Sequence, residues 1–75
     1  MPRLKCTVGE FISIIESYKF VKIRHGATDH RRYRGEVGGQ VRLVDVSGGN
    51  HDDVDTGTLQ SMIRQSGLPK RLFRK

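Results

Sequence analysis

The chain has 75 residues and, with 14 lysines and arginines against 8 aspartates and glutamates, a formal net charge of +6. This length allows one domain over residues 1–75 and excludes a deep cleft supported by several layers of side chains. The positive charge favours a polyanionic partner, although charge alone does not separate RNA from DNA, an anionic membrane or an acidic protein.

Cysteine content and hydropathy indicate the cellular compartment in which the protein works. Cys6 is the only cysteine, so a disulfide within the chain is excluded and a reducing environment is expected. The apolar clusters are far shorter than the ~20 residues that cross a bilayer, and the first residues lack the apolar run of a signal peptide. We therefore expect a cytoplasmic protein with no membrane partner.

The first predicted element is an amphipathic helix over residues 7–18. Thr7 and Glu10 have the spacing of a capping box, in which each side chain accepts a hydrogen bond from the backbone of the other. The apolar residues that follow recur at helical spacing and form one stripe, which consists of Phe11, Ile14, Ile15 and Tyr18.

Three strands are predicted next, over residues 19–25, 29–36 and 40–46. Glycines 38 and 39 indicate a two-residue hairpin between the second and third strands. The third strand is rich in β-branched residues. Its inward side stays open, because two alternating pairs compete for it, Val41 with Leu43 and Val44 with Val46.

A Gly-, Asn- and Asp-rich loop over residues 47–56 and a second helix over residues 57–66 complete the predicted elements. Gly67 fits the left-handed position that ends a helix, and Pro69 prevents its continuation. The basic tail, residues 69–75, is expected to be loosely held. The order α-β-β-β-α predicts an α+β fold with a three-stranded antiparallel sheet and two helices on one face.

Alternation along the strands predicts which residues the helices cover. Val21 and Ile23 in the first strand, and Tyr33 in the second, are expected to face the helices. The residues of opposite parity should then lie on an uncovered face, where one imidazole stands among four cations: Lys22, Arg24, His30, Arg32 and Arg34.

His30 is the best candidate for a catalytic residue. Cleavage of a phosphodiester needs proton transfer from the attacking hydroxyl and to the leaving oxygen, and imidazole does either near neutral pH. Guanidinium groups stabilise the negative charge of the transition state. The candidates for binding RNA phosphate are Lys22, Arg24, Arg31, Arg32 and Arg34.

Two other histidines are weaker candidates. His25 ends a predicted strand, and His51 lies in an acidic loop with Asp52, Asp53 and Asp55. That loop could bind a divalent ion, but a solvated loop is the favoured interpretation. No spacing of histidine and cysteine matches a zinc site, so no metal or other cofactor is expected.

Two segments resemble the HicA-like (YcfA-like) mRNA interferase toxins. The first is TDHRRY, residues 28–33, where the family has a Gly-Ser-His type motif followed by basic and aromatic residues. The second is GTLQSMIRQSGL, residues 57–68, which matches a G-T-L-x-x-I-x-x-Q-x-G-L signature with Ile63 one place late. The resemblance extends from about Glu10 to Leu68.

The resemblance implies a double-stranded-RNA-binding-domain-like fold of order α-β-β-β-α. It also implies metal-independent cleavage of mRNA and inhibition by a HicB-like antitoxin. The family's motif histidine corresponds to His30. The chain departs from the motif at Thr28 and Asp29, which stand where the family has Gly-Ser.

Two alternatives stay open. The chain could be a non-catalytic module of the same fold that holds RNA or an antitoxin through its basic face. A weaker alternative is contact between the basic tail and an anionic membrane, for which Leu72 and Phe73 provide too little apolar surface for firm anchoring.

Overall fold

The computed structural model of the chain describes residues 6–25 and 30–73. Helix α1 covers Val8–Ser17, the strands β1, β2 and β3 cover Val21–His25, Arg31–Val37 and Gln40–Val46, and helix α2 covers Thr56–Ser66. A short 3₁₀ helix over Lys70–Phe73 follows. The predicted order α-β-β-β-α and the α+β class are confirmed. Among the described residues, neither helix has the length and apolarity that crossing a bilayer requires.

Local capping begins α1 and ends α2 where the sequence predicted, and a further cap begins α2. The Thr7 backbone N–H donates to Glu10 Oε1 at 2.8 Å, and the Glu10 N–H donates to Thr7 Oγ1 at 3.2 Å, which confirms the capping box. Asp55 accepts hydrogen bonds from the first turn of α2. Gly67, with a φ of 72°, ends α2 in the left-handed conformation as predicted.

The three strands form one antiparallel sheet in the order β1-β2-β3. The hairpin predicted at glycines 38 and 39 is confirmed, with φ values of 61° and 79° that suit a two-residue turn. Its register pairs Tyr33 with Val44, and both are buried. Val44 and Val46 therefore face the helices, and Val41 and Leu43 are exposed on the other side.

The predicted inward orientation of Val21 and Ile23 is wrong. Val21 and Ile23 are 62% and 52% exposed, because Phe20, just before the strand, takes the place in the core. Phe20 lies so close to Gly35 that a Cβ on that glycine would meet the phenyl ring at 2.7 Å. Since successive residues point to opposite faces, a buried Phe20 turns Val21 outward. An irregularity in the pairing between Lys22 and Arg24 leaves Ile23 without a cross-strand partner.

The predicted loose tail is also wrong as far as residue 73. Phe73 is buried and stacks on Phe11, with 5.1 Å between the ring centroids. The Cys6 thiol donates to the carbonyl oxygen of Phe73 at 3.5 Å. A domain this small gains a large fraction of its core from one additional buried ring, so the tail completes the hydrophobic core.

A candidate active site on the open face of the sheet

His30 lies directly before β2 and is exposed. It lines a surface cavity of about 350 Å³ together with Arg24, Arg32 and Asp45. Arg31 and Val46 complete the lining. The cavity opens on the face of the sheet that carries no helix, which we call the open face. His30 therefore lies beside arginines, as we expected.

A row of three charged side chains crosses the open face beside His30. Arg24 of β1 pairs with Arg32 of β2, and Arg32 pairs with Asp45 of β3. Directly opposed residues of antiparallel strands project to the same face. Two like charges face each other in this row, and the carboxylate of Asp45 offsets their repulsion.

Asp45 holds the Arg32 guanidinium through two hydrogen bonds. Arg32 Nε donates to Asp45 Oδ1 at 2.8 Å, and Nη2 donates to Oδ2 at 3.3 Å. This contact raises the pKa of Arg32. The hydrogen bond from Arg32 lowers the pKa of Asp45, partial desolvation opposes that effect, and the charges of Arg32 and His30 add to it. Asp45 is thus an ionised member of the site at neutral pH.

Arg34 lies on the open face but outside the His30 cavity. It pairs with Val21 and Leu43, which are exposed, and it lines a separate groove at the β1 edge. Lys22 pairs with Tyr33, whose side chain is buried against the helices. The prediction that Lys22 shares the open face is therefore wrong, because the parity of β1 is reversed as far as Lys22. The irregularity before Arg24 leaves Arg24 on the open face, as predicted.

Arg31 belongs to the covered side of the sheet. It pairs with the buried Val46, and its guanidinium donates to Asn50 Oδ1 and to the Gly48 carbonyl oxygen, both at 3.0 Å. The same loop accepts hydrogen bonds from the first turn of α1, where the Gly9 N–H donates to the carbonyl oxygen of Asn50. Arg31 thus fixes the loop after β3 against β2, next to the His30 cavity.

The remaining sequence candidates lie elsewhere. His51 is exposed in a different cavity, beside α1. Asp52 accepts a hydrogen bond from the Gly49 N–H, and Asp55 caps α2. Residues 6–25 and 30–73 contain no group of three or more His, Cys, Asp or Glu side chains that could hold a metal. The side chain of His25 and the motif residues 28 and 29 lie outside the described residues.

The site combines one exposed imidazole, three arginines and one carboxylate in a shallow cavity, and one of the arginines, Arg31, is bound to the loop after β3. Such a set provides a group that moves a proton and fixed positive charge that attracts an anion. Asp45 is the member that the sequence analysis did not name. The predicted hairpin could have identified it. A two-residue turn at residues 38 and 39 pairs Val37 with Gln40, and counting outward from the turn in the same register pairs Arg32 with Asp45.

Comparison with known protein families matches residues 8–68 to the family described as HicA toxin of bacterial toxin–antitoxin systems. The matched range begins with α1 and ends just after α2, so it contains both helices and the whole sheet. Comparisons with curated proteins and with solved structures give no match. The chain belongs to the HicA toxin family of bacterial toxin–antitoxin pairs.

Proposed function

We propose that this toxin is an endoribonuclease that cleaves mRNA and that His30 is its catalytic residue. The observation that supports this most is the position of the exposed His30 in one cavity with Arg24 and Arg32. Cleavage of a phosphodiester requires a group that transfers protons and fixed positive charge beside the phosphate.

The chemistry follows from the RNA itself. The 2′-hydroxyl oxygen attacks the adjacent phosphorus, the bond from phosphorus to the 5′ oxygen breaks, and the products are a 2′,3′-cyclic phosphate and a 5′-hydroxyl. His30 accepts the proton of the 2′-hydroxyl or donates one to the 5′ oxygen, and water makes the other proton transfer. Arg24 stabilises the charge on the phosphate oxygens, and Arg32, whose guanidinium Asp45 holds in the free protein, adds its positive charge nearby. Because the nucleophile is part of the substrate, the proposed reaction requires no metal ion.

The other cations near the site contribute to RNA binding in different ways. Arg34, exposed on the open face, holds the RNA backbone beyond the cavity. Arg31 contributes positive charge at the cavity wall, while two of its nitrogens hold the loop after β3. Lys22, exposed at the β1 edge, adds long-range attraction.

The toxin acts with an antitoxin, and we propose that this is a HicB-like protein encoded beside it. Its proposed site of action is the cytoplasm, where mRNA is translated. Co-expression of the neighbouring small open reading frame should restore growth. Growth that stays arrested would exclude that neighbour as the antitoxin.

Expression in a bacterial host tests the assignment of His30. Wild-type chain should arrest growth and degrade mRNA, and His30→Ala should do neither while keeping the circular dichroism spectrum of the wild type. His51→Ala is the matched control, because it removes an exposed imidazole from a different cavity, and it should remain toxic. A fully toxic His30→Ala variant would refute the assignment. An inert wild-type protein that still shifts RNA in a gel would favour a non-catalytic module.

A further inference from the structure

Exposed apolar side chains cluster at the β1 edge of the sheet. Tyr18, at the C-terminal end of α1, is 44% exposed, and Val21 and Ile23 of β1 are more exposed still. The three line one groove of about 490 Å³ with Lys19 and Arg34, and we call it the Tyr18 groove. Neighbouring exposed apolar residues with a polar rim mark binding sites more often than scattered ones do.

The charges of the Tyr18 groove favour an anionic occupant. Lys19 and Arg34 supply two positive charges, and Glu36 at the same groove supplies one negative charge. An occupant that suits these side chains has both an apolar planar part and a negatively charged part. A second copy of this chain fits poorly, because facing copies would bring their exposed arginines Arg24, Arg32 and Arg34 together.

The Tyr18 groove and the His30 cavity are separate, but both include residues of the open face. Arg34 lies four residues along the chain from His30, which is roughly 13 Å at the rise of a β-strand. Arg32, between them, projects to the same face. At ~3.4 Å per nucleotide in a stacked strand, this distance corresponds to about four nucleotides.

We propose that the Tyr18 groove is a nucleobase subsite for single-stranded RNA, in which Tyr18 stacks on a base about four nucleotides from the scissile phosphate. This inference rests on the proposed function, whose substrate it narrows to unpaired RNA. Aromatic side chains stack on bases only where base pairing leaves the base faces accessible. Arg34, which lines the same groove, holds the phosphate next to that base.

Binding measurements on a catalytically inactive chain test the proposal. In a His30→Ala background, Tyr18→Leu should weaken binding of a single-stranded RNA of about eight nucleotides at least about fivefold, because it removes a stacking contact. Tyr18→Phe should keep most of the affinity, since the ring remains. Val41→Ser is the matched control, because Val41 is an exposed apolar residue of the same face outside the groove, and it should bind as the parent does.

Length dependence gives a second measurement. A trinucleotide reaches the His30 cavity but not the groove, so the otherwise wild-type Tyr18→Leu chain should cleave it as the wild type does, which also shows that the variant folds.

Equal affinity of the Tyr18→Leu chain and its parent for the longer RNA would overturn the subsite and leave the ribonuclease intact. A wild-type dimer in sedimentation that Tyr18→Leu converts to monomer would also overturn it, because the groove would then be a protein interface. Absence of RNA binding by the parent, together with absence of cleavage by the wild type, would refute the proposed function itself.

Discussion

Replacing Asp45 with asparagine should release Arg32 to the RNA backbone. In the free protein, both carboxylate oxygens of Asp45 accept hydrogen bonds from the Arg32 guanidinium, at 2.8 and 3.3 Å. Asparagine has nearly the same shape but no charge, so Arg32 loses its ionic partner. We expect the variant to bind single-stranded RNA more tightly than the parent at low salt.

The size of the effect follows from counterion release. Each phosphate that a cation neutralises on a single strand contributes about −0.7 to the slope of log K against log salt. With Arg32 occupied by Asp45, Arg24 and Arg34 are the exposed arginines of the open face that remain for phosphate. One additional contact should therefore steepen the slope by about 0.7. Between about 50 and 200 mM salt, the variant should lose affinity roughly 2.6-fold more than the parent.

Fluorescence anisotropy of a labelled RNA across a salt series measures this slope in the His30→Ala background. Glu16→Gln is the matched control, because it removes one exposed carboxylate from α1, on the other side of the sheet, without releasing Arg32. Equal slopes for the Asp45→Asn variant and its parent would refute the view that Asp45 limits access to Arg32. So would an equal change of slope in the Glu16 control, because net charge alone would then explain the effect.

Two further predictions concern stability and titration. Phe73→Ala should lower the free energy of unfolding by about 3–5 kcal/mol, a large part of the roughly 4–11 kcal/mol expected for 75 residues. Urea denaturation measures this free energy of unfolding, and a decrease of less than about 1 kcal/mol would contradict the burial of the tail. The Asp45 carboxyl should titrate below its ordinary pKa of 3.8, and Arg32→Ala should raise that pKa again. Since the pKa of Asp45 is lowered in the folded chain, the stabilisation it gives is present at neutral pH and is lost as pH falls through the lowered pKa. NMR titration of the carboxyl carbon checks the direction, and a midpoint at or above 3.8 would contradict the ion pair.

Locally encoded features of the fold were predictable from the sequence. The capping box of Thr7 and Glu10, the hairpin at residues 38 and 39 and the helix end at Gly67 are confirmed. Each depends on a hydrogen bond or a backbone conformation within a few residues, so few competing arrangements exist.

Features decided by tertiary packing were not predictable. Val21 and Ile23 alternate as inward residues would, but the larger ring of Phe20 occupies the core and turns Val21 outward. The irregularity between Lys22 and Arg24 leaves Ile23 exposed as well. Phe73 stands in a basic run that is typical of a solvated tail. Its burial depends on Phe11, which lies 62 residues earlier in the chain and meets it only in the folded protein.

The candidate site was predictable only where it depends on the alternation of residues along one strand. Tyr33 was expected to face the helices and does, and with it Arg32 lies on the open face near His30. Asp45 was missed because its importance comes from cross-strand pairing with Arg32 rather than from a motif. The role of Arg31 in holding the loop depends on Gly48 and Asn50, whose approach no periodicity indicates.

Cleavage of a single-stranded RNA by purified chain in the presence of EDTA tests most directly whether His30 performs the chemistry. The wild type and His51→Ala should produce fragments that end in 2′,3′-cyclic phosphate and should leave DNA of the same sequence intact, whereas His30→Ala should be slower by about 100-fold or more. A His30→Ala chain that cleaves at the wild-type rate, or wild-type cleavage that EDTA abolishes, would contradict the account.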